Sequence, residues 1–145
     1  MLDNFNISAS ALTAQRLRMD VISENIANVN TTRTENGEPY RRKMPVFQEK
    51  AGSFNDILVS KMKNNNSSLN GVEVSEIAED DSPFKMKYEP EHPDANEEGY
   101  VAMPNVNVTT EMVDMISASR AYEANVTALN TAKDMAQQAL QIGQG

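Results

Sequence analysis

The chain opens and closes on a seven-residue hydrophobic repeat. Near the amino terminus Phe5, Leu12, Met19 and Ile26 recur at every seventh position, and Ser8, Gln15, Ile22 and Val29 follow three residues behind. Two interleaved series of this kind form the seam of a helix that packs in coiled-coil fashion. A second stripe, Ile7, Ala14 and Val21 with Ala11 and Leu17 beside it, widens the apolar surface beyond one seam. At the other end Val108, Met115, Tyr122, Leu129 and Ala136 repeat at seven. So do Met112, Ser119, Val126, Lys133 and Leu140, with two polar interruptions. A mostly small stripe that includes Ala118, Ala121, Ala128, Ala132 and Ala139 runs alongside and lets another helix come close. Thr109 or Thr110 is placed to cap the start of this second helix.

Helix breakers respect this division. Residues 1–36 and 105–142 contain neither Gly nor Pro, whereas all the prolines lie between 37 and 104. A Gly costs roughly 1 kcal/mol and a Pro roughly 3 in a helix interior, so the two ends are free to be long helices and the middle is not. Within the middle, Val72–Ile77 and Phe84–Tyr88 alternate at period two and read as strands, and Gly99–Met103 reads as a third. The stretch 89–99, with Pro90, Pro93 and Asp94, is a turn. Phe54 to Met62 fits a short helix, and the polar run Asn64–Ser68 fits a mobile linker near 63–70. The expected fold is mainly α with a small β-containing middle. Long N- and C-terminal helices form a coiled-coil-like bundle around a short, mostly-β insert. Three segments follow: a helical 1–32, a β-rich 33–105 and a helical 106–145.

Composition narrows the function. Hydrophobic residues make up 39% and Trp is missing, so a large self-contained core is not expected. The net charge of −8 argues against nucleic acid, whose phosphates demand clustered Lys and Arg. Without cysteine there are no disulfides, thiol nucleophiles or cysteine-ligated metals. No run approaches the roughly 18 apolar residues of a membrane span, and the first residues show no basic and apolar leader of a cleaved signal. Charge is also uneven. Residues 33–63 carry seven basic against four acidic side chains, and residues 71–105 carry two against ten. Complementary segments of this kind can set register between head-to-tail subunits.

Catalytic chemistry finds little support. The one histidine, His92, sits between Pro90 and Pro93 and reads as a turn residue. Asp80-Asp81 and Glu97-Glu98 are adjacent acids with nothing to mark a cleft. Asp94–Gly99 matches the first half of a calcium-binding EF-hand loop, but Pro104 and Asn105 occupy its end where a Glu is needed. Neither a Gly-rich phosphate loop nor a nucleophile elbow is present. No catalytic residue, cofactor or metal is expected, and the chain is not read as an enzyme.

Two helices with stripes this wide cannot bury both by pairing only with each other, so the missing partners are expected to be other subunits. The residues Ser8–Asp20 and Ser23–Thr32 sharpen that expectation, for they resemble the amino-terminal signature of bacterial flagellar rod and hook proteins. Asn25, Ile26, Ala27, Asn28, Val29 and Asn30 carry the motif; Glu24 departs from it, where the family more often has Asn. Gly37–Arg42, Glu98–Val108, Glu111–Met115 and Ser119–Val126 resemble the proximal-rod members of that family. Only the region around 50–70 fails to match.

The resemblance implies a structural subunit of the basal-body rod, the hollow drive shaft that carries motor torque and encloses the export channel. It implies export by the flagellar type III apparatus without a cleaved signal. Its partners would be other rod proteins, copies of itself and that apparatus. The terminal helices would form an inner tube, the second nearer the channel, and the middle would lie further out. On this reading Leu12, Met19, Ile22, Ile26 and Val29 pack against Met115, Tyr122, Val126, Leu129 and Ala136 of the same or a neighbouring chain. Ala128, Ala132 and Leu140 extend the assembly face, and Asn130, Gln137, Gln138 and Gln141 are channel-facing candidates. The alternatives are a different axial subunit of the rod or hook, or an acidic cation-binding module built on the 94–99 loop.

Overall fold

The computed structural model describes residues 2–50 and 71–143. The elements in order are α1 (Leu2–Ala27), β1 (Lys43–Glu49), β2 (Val72–Glu79), β3 (Lys85–Tyr88), β4 (Tyr100–Met103) and α2 (Val108–Ile142). Two long helices bracket a small β middle, as the heptads and the placement of Gly and Pro predict. The short helix expected at 54–62 and the linker near 63–70 lie outside the described residues.

α1 ends at Ala27, inside the 1–32 segment, and asparagine bonds shape the turn that follows. The Asn28 backbone N–H and its side-chain amide both donate to the Glu24 carbonyl, at 3.1 and 3.0 Å. The ladder then tightens, with Val29 N–H on the Ile26 carbonyl at 3.3 Å and Thr31 N–H on that of Asn28 at 3.0 Å. The same bond from the Asn125 amide to the Ala121 carbonyl leaves α2 unbroken, so the backbone change at Val29 and Thr31, and not the side-chain bond by itself, marks the end of α1. Val29, placed by periodicity on the seam, therefore stands beyond the last turn.

At the start of α2 the cap is Asn107 rather than either threonine. Its Oδ1 accepts from the backbone N–H groups of Thr109 and Thr110, at 3.1 and 3.4 Å. The two threonines occupy the first turn, where their amides need an acceptor and Asn107 supplies it.

Strands β2 and β3 fall where alternation places them, and β4 falls on the third stretch read as a strand; β1 was not expected. Its Pro45 has no N–H to give a ladder, and among the described residues β1 pairs with β2. β1 and β2 form one two-stranded antiparallel sheet, β3 and β4 another. In the second, Lys85 pairs with Met103 and Tyr88 with Tyr100, whose rings meet edge-on at 5.3 Å. The connecting loop closes at Gly99, in the left-handed region at φ 83°, where a Cβ would lie 2.9 Å from the Tyr88 ring and 3.1 Å from Pro90 Cβ.

The chain divides into two compact units. One comprises Leu17–Val46 and Glu76–Ala118. Its buried apolar residues are Val21, Ile22, Tyr40, Val101, Val106 and Ala118. The other comprises Met1–Arg16, Phe47–Ser75 and Ser119–Gly145. There Ser10 docks β2 onto α1: its Oγ donates to the Ile7 carbonyl at 2.7 Å and accepts from Val72 N–H at 3.1 Å. Gly71, just before β2, comes so close that a Cβ there would press on Ser10 Oγ and lie 2.9 Å from Ser10 Cβ.

Candidate assembly interface

At the heart of the first unit lies a buried polar joint. Asn25, 1% exposed, points inward from the last full turn of α1. Its Nδ2 donates to the Lys43 carbonyl at 2.9 Å and to Glu111 Oε2 at 3.0 Å. Its Oδ1 accepts from Lys43 N–H at 2.9 Å and from the Tyr40 hydroxyl at 3.0 Å. Two donors and two lone pairs are thus all engaged inside the chain. Glu111, fully buried in the first turns of α2, receives Arg42 Nε on its other oxygen at 2.5 Å. Arg42 reaches Asp114 at 3.4 Å and Asp80 at 3.7 Å, and Arg18 of α1 holds Asp114 at 3.2 Å. With Arg18 near Asp114 and Asn25 near Glu111, the helices run antiparallel here.

A carboxylate with no solvent contact is tolerable only when paired and hydrogen-bonded, and Glu111 has both. Burial, then the carboxylates of Glu24, Glu111 and Glu79, push the Tyr40 phenol well above its usual range. It therefore remains a donor to Asn25. Lys43 caps the cluster, with its ammonium 2.6 Å from Glu24 and 5.6 Å from the centre of the Tyr40 ring. Sequence reading placed Tyr40, Arg42, Glu111 and Asp114 in stretches that carry the family resemblance but gave them no role beside Asn25. Partners 86 residues apart leave no local spacing to notice.

The expected interface residues divide by exposure. In the first unit Ile22 is buried, and Met19, Ile26, Val29 and Met115 are half-buried. In the second unit Leu12, Tyr122, Val126, Leu129, Ala132 and Ala136 are half-buried, whereas Ala128 and Leu140 are exposed. The channel candidates Asn130, Gln137, Gln138 and Gln141 are all exposed. Within the motif, Asn25 is buried, Asn28 half-buried, and Ala27 and Asn30 exposed. A groove of about 560 Å³ in the second unit is lined by Ile7 and Ser8 of α1 and, among others, Ala128, Ala132 and Met135 of α2. Met135, Leu140 and Ile142 are 60%, 68% and 82% exposed, and Met112, Val113 and Ile116 form a second uncovered apolar patch near the start of α2.

The 94–99 loop is committed to the protein's own groups. Asp94 accepts from the Thr32 hydroxyl at 2.8 Å and pairs with Arg33 at 3.8 Å. Asn96 Oδ1 accepts from the amides of Glu98 and Tyr100, at 3.0 and 2.8 Å. No group of three or more acidic or histidine side chains suited to a metal occurs among the described residues. No helix among them is long and apolar enough to cross a membrane.

Long terminal helices, a small β insert and apolar stripes left uncovered on a single chain define an axial subunit of a helical assembly. Comparison with known proteins gives that class its family. Residues 5–33 match the family model described as flagella basal body rod protein, and residues 97–142 match the carboxy-terminal model of the flagellar basal body rod FlgEFG proteins. The flagellar basal-body rod protein FlgC of Bacillus subtilis is 57% identical over 144 residues, covering 97% of this chain and 96% of its own. The FlgC protein of Borreliella burgdorferi is 48% identical, covering 100% and 99%, and that of Escherichia coli O157:H7 is 42% identical, covering 99% and 98%. The chain belongs to the FlgC family of flagellar basal-body rod proteins. It is a structural subunit of the proximal rod and assembles there with other rod proteins.

Proposed function

We propose that this subunit enters the rod through the apolar faces of α2 that its own chain leaves uncovered, and that its neighbours include copies of itself. The observation that carries the proposal is the exposure of Met135, Leu140 and Ile142 beside the small-residue groove at Ala128 and Ala132. Apolar surface of this kind on a rod subunit is stabilised by burial against a neighbouring helix, at about 25 cal/mol per Å². Leu12, Met19, Ile22, Ile26, Val29, Met115, Tyr122, Val126, Leu129 and Ala136 then support the seam from inside. On the same reading the chain leaves the cell through the flagellar type III apparatus, without a cleaved signal. Its exposed amides Asn130, Gln137, Gln138 and Gln141 face the channel, where neutral groups hold passing chains weakly. The assembled shaft transmits torque.

The test is incorporation. Ala128→Trp fills the groove, and Leu140→Asp places a charge on the uncovered face. In cells lacking their own proximal-rod protein of this family, both variants are expected to be absent from purified basal bodies and to leave the cells non-motile. The buried joint around Glu111 should stay folded in the purified variants. Basal bodies containing either variant at the wild-type level would overturn the proposal.

A further inference from the structure

We infer that Asn25 and Glu111 are a register pair: they select one stagger of α1 against α2, and the signature asparagine acts inside the subunit rather than on a neighbour. Saturation is the first argument. Asn25 is 1% exposed and spends both amide hydrogens and both carbonyl lone pairs on Lys43, Tyr40 and Glu111, so it has nothing left to offer another chain. Degeneracy is the second. The apolar series on both helices repeat every seven residues, so a slip of α2 by one heptad again sets apolar or small side chains on the seam. Such a slip puts Ala118 in place of Glu111, and a slip by one turn puts Met115 there. Either would leave the Arg42 guanidinium without Glu111 and the Asn25 amide without a carboxylate acceptor. A single buried polar position among repeated apolar ones is the best-attested device for fixing helix register.

The anchor for both groups is the chain at the entry to β1. Lys43, the first residue of the strand, gives Asn25 its backbone N–H and carbonyl, and Arg42, just before it, gives Glu111 its guanidinium. The stagger is therefore measured from the strand and not from the helices alone. That the selected stagger then sets how uncovered faces meet their neighbours rests on the rod reading. The stagger itself does not.

The cysteine-free sequence allows a clean test. Spin labels on the full chain carrying Ser23→Cys and Ser117→Cys, both exposed positions, report the distance between the two helices. In that background the triple change Asn25→Leu, Arg42→Met and Glu111→Met removes the polar set while keeping apolar volume, so the helices are expected to form. The parent should give one narrow distance. The triple variant should keep its helical circular dichroism and give a distribution broadened or split into several distances, as axial slips of about 5 Å (one turn) or about 10 Å (one heptad) would produce. Asn25→Asp alone, which sets an acceptor against both the Lys43 carbonyl and Glu111, should broaden the distance. A single narrow distance in the helical triple variant would overturn the inference, as would a broad distance in the parent. If the distances behave as expected but variants and parent populate basal bodies equally, the register pair stands and its link to rod assembly falls.

Discussion

At the scale of single residues, the molecule depends on satisfying groups it has taken out of water. An unsatisfied buried donor or acceptor costs roughly 1–3 kcal/mol, so the four bonds of Asn25 matter more as avoided losses than as gains. A more exposed residue illustrates the same chemistry with a measurable titration. The Ser82 hydroxyl and backbone amide both donate to Asp80 Oδ1, and Arg42 stands 3.7 Å from its other oxygen. The hydroxyl leads these causes in holding the Asp80 carboxyl below its ordinary value. A carboxyl depressed in the folded state contributes stability above the unfolded value of about 3.9, and that contribution is lost as pH falls through the folded value. Ser82→Ala is therefore expected to raise the Asp80 midpoint, read from its side-chain carboxyl ¹³C shift, and to move the acid limb of stability upward. An unchanged midpoint would show that the hydroxyl does not hold the carboxylate. Little of this was legible beforehand. Three asparagines in six residues marked 25–30 as unusual, but one of them back-bonds to its own helix and another reaches Glu111, a difference no local pattern encodes.

At the scale of elements, the sequence reads well wherever one physical rule acts alone. Heptads without Gly or Pro gave both helices, and period-two alternation gave β2 and β3. Rules in competition were harder. β1 was not read from the sequence, although Met44, Val46 and Phe47 are apolar, because Pro45 interrupts the run. α1 ends at Ala27, although the seam runs on to Val29. Close approach between elements depends on a residue that periodicity does not see. Gly71→Ala forces a methyl against Ser10, whose hydroxyl is held by Ile7 and Val72, and should cost about 1–3 kcal/mol as overpacking does. A urea melt of the purified chain would show this as a lower midpoint. An unchanged midpoint would mean that α1 and β2 do not meet as closely as the structure places them.

At the scale of the whole molecule, one chain both folds and leaves surface for others. The unit built on Asn25, Arg42 and Glu111 closes its polar account within itself, and its apolar centre at Val101, Val106 and Ala118 is covered. The carboxy-terminal part of α2 has a different character: its apolar side chains at 135, 140 and 142 stay in solvent. A helix gains most of its stability from a packed apolar face, so this part is expected to be the weaker until a neighbour covers it. That asymmetry suits a subunit of the FlgC family, which works only in company. The most direct measurement is hydrogen exchange on the full chain, free in solution and within isolated basal bodies. The account predicts that amides around Glu111 are protected in both states, and that those of residues 124–142 exchange quickly in the free chain and become protected in the rod. Equal protection along α2 in both states would contradict it.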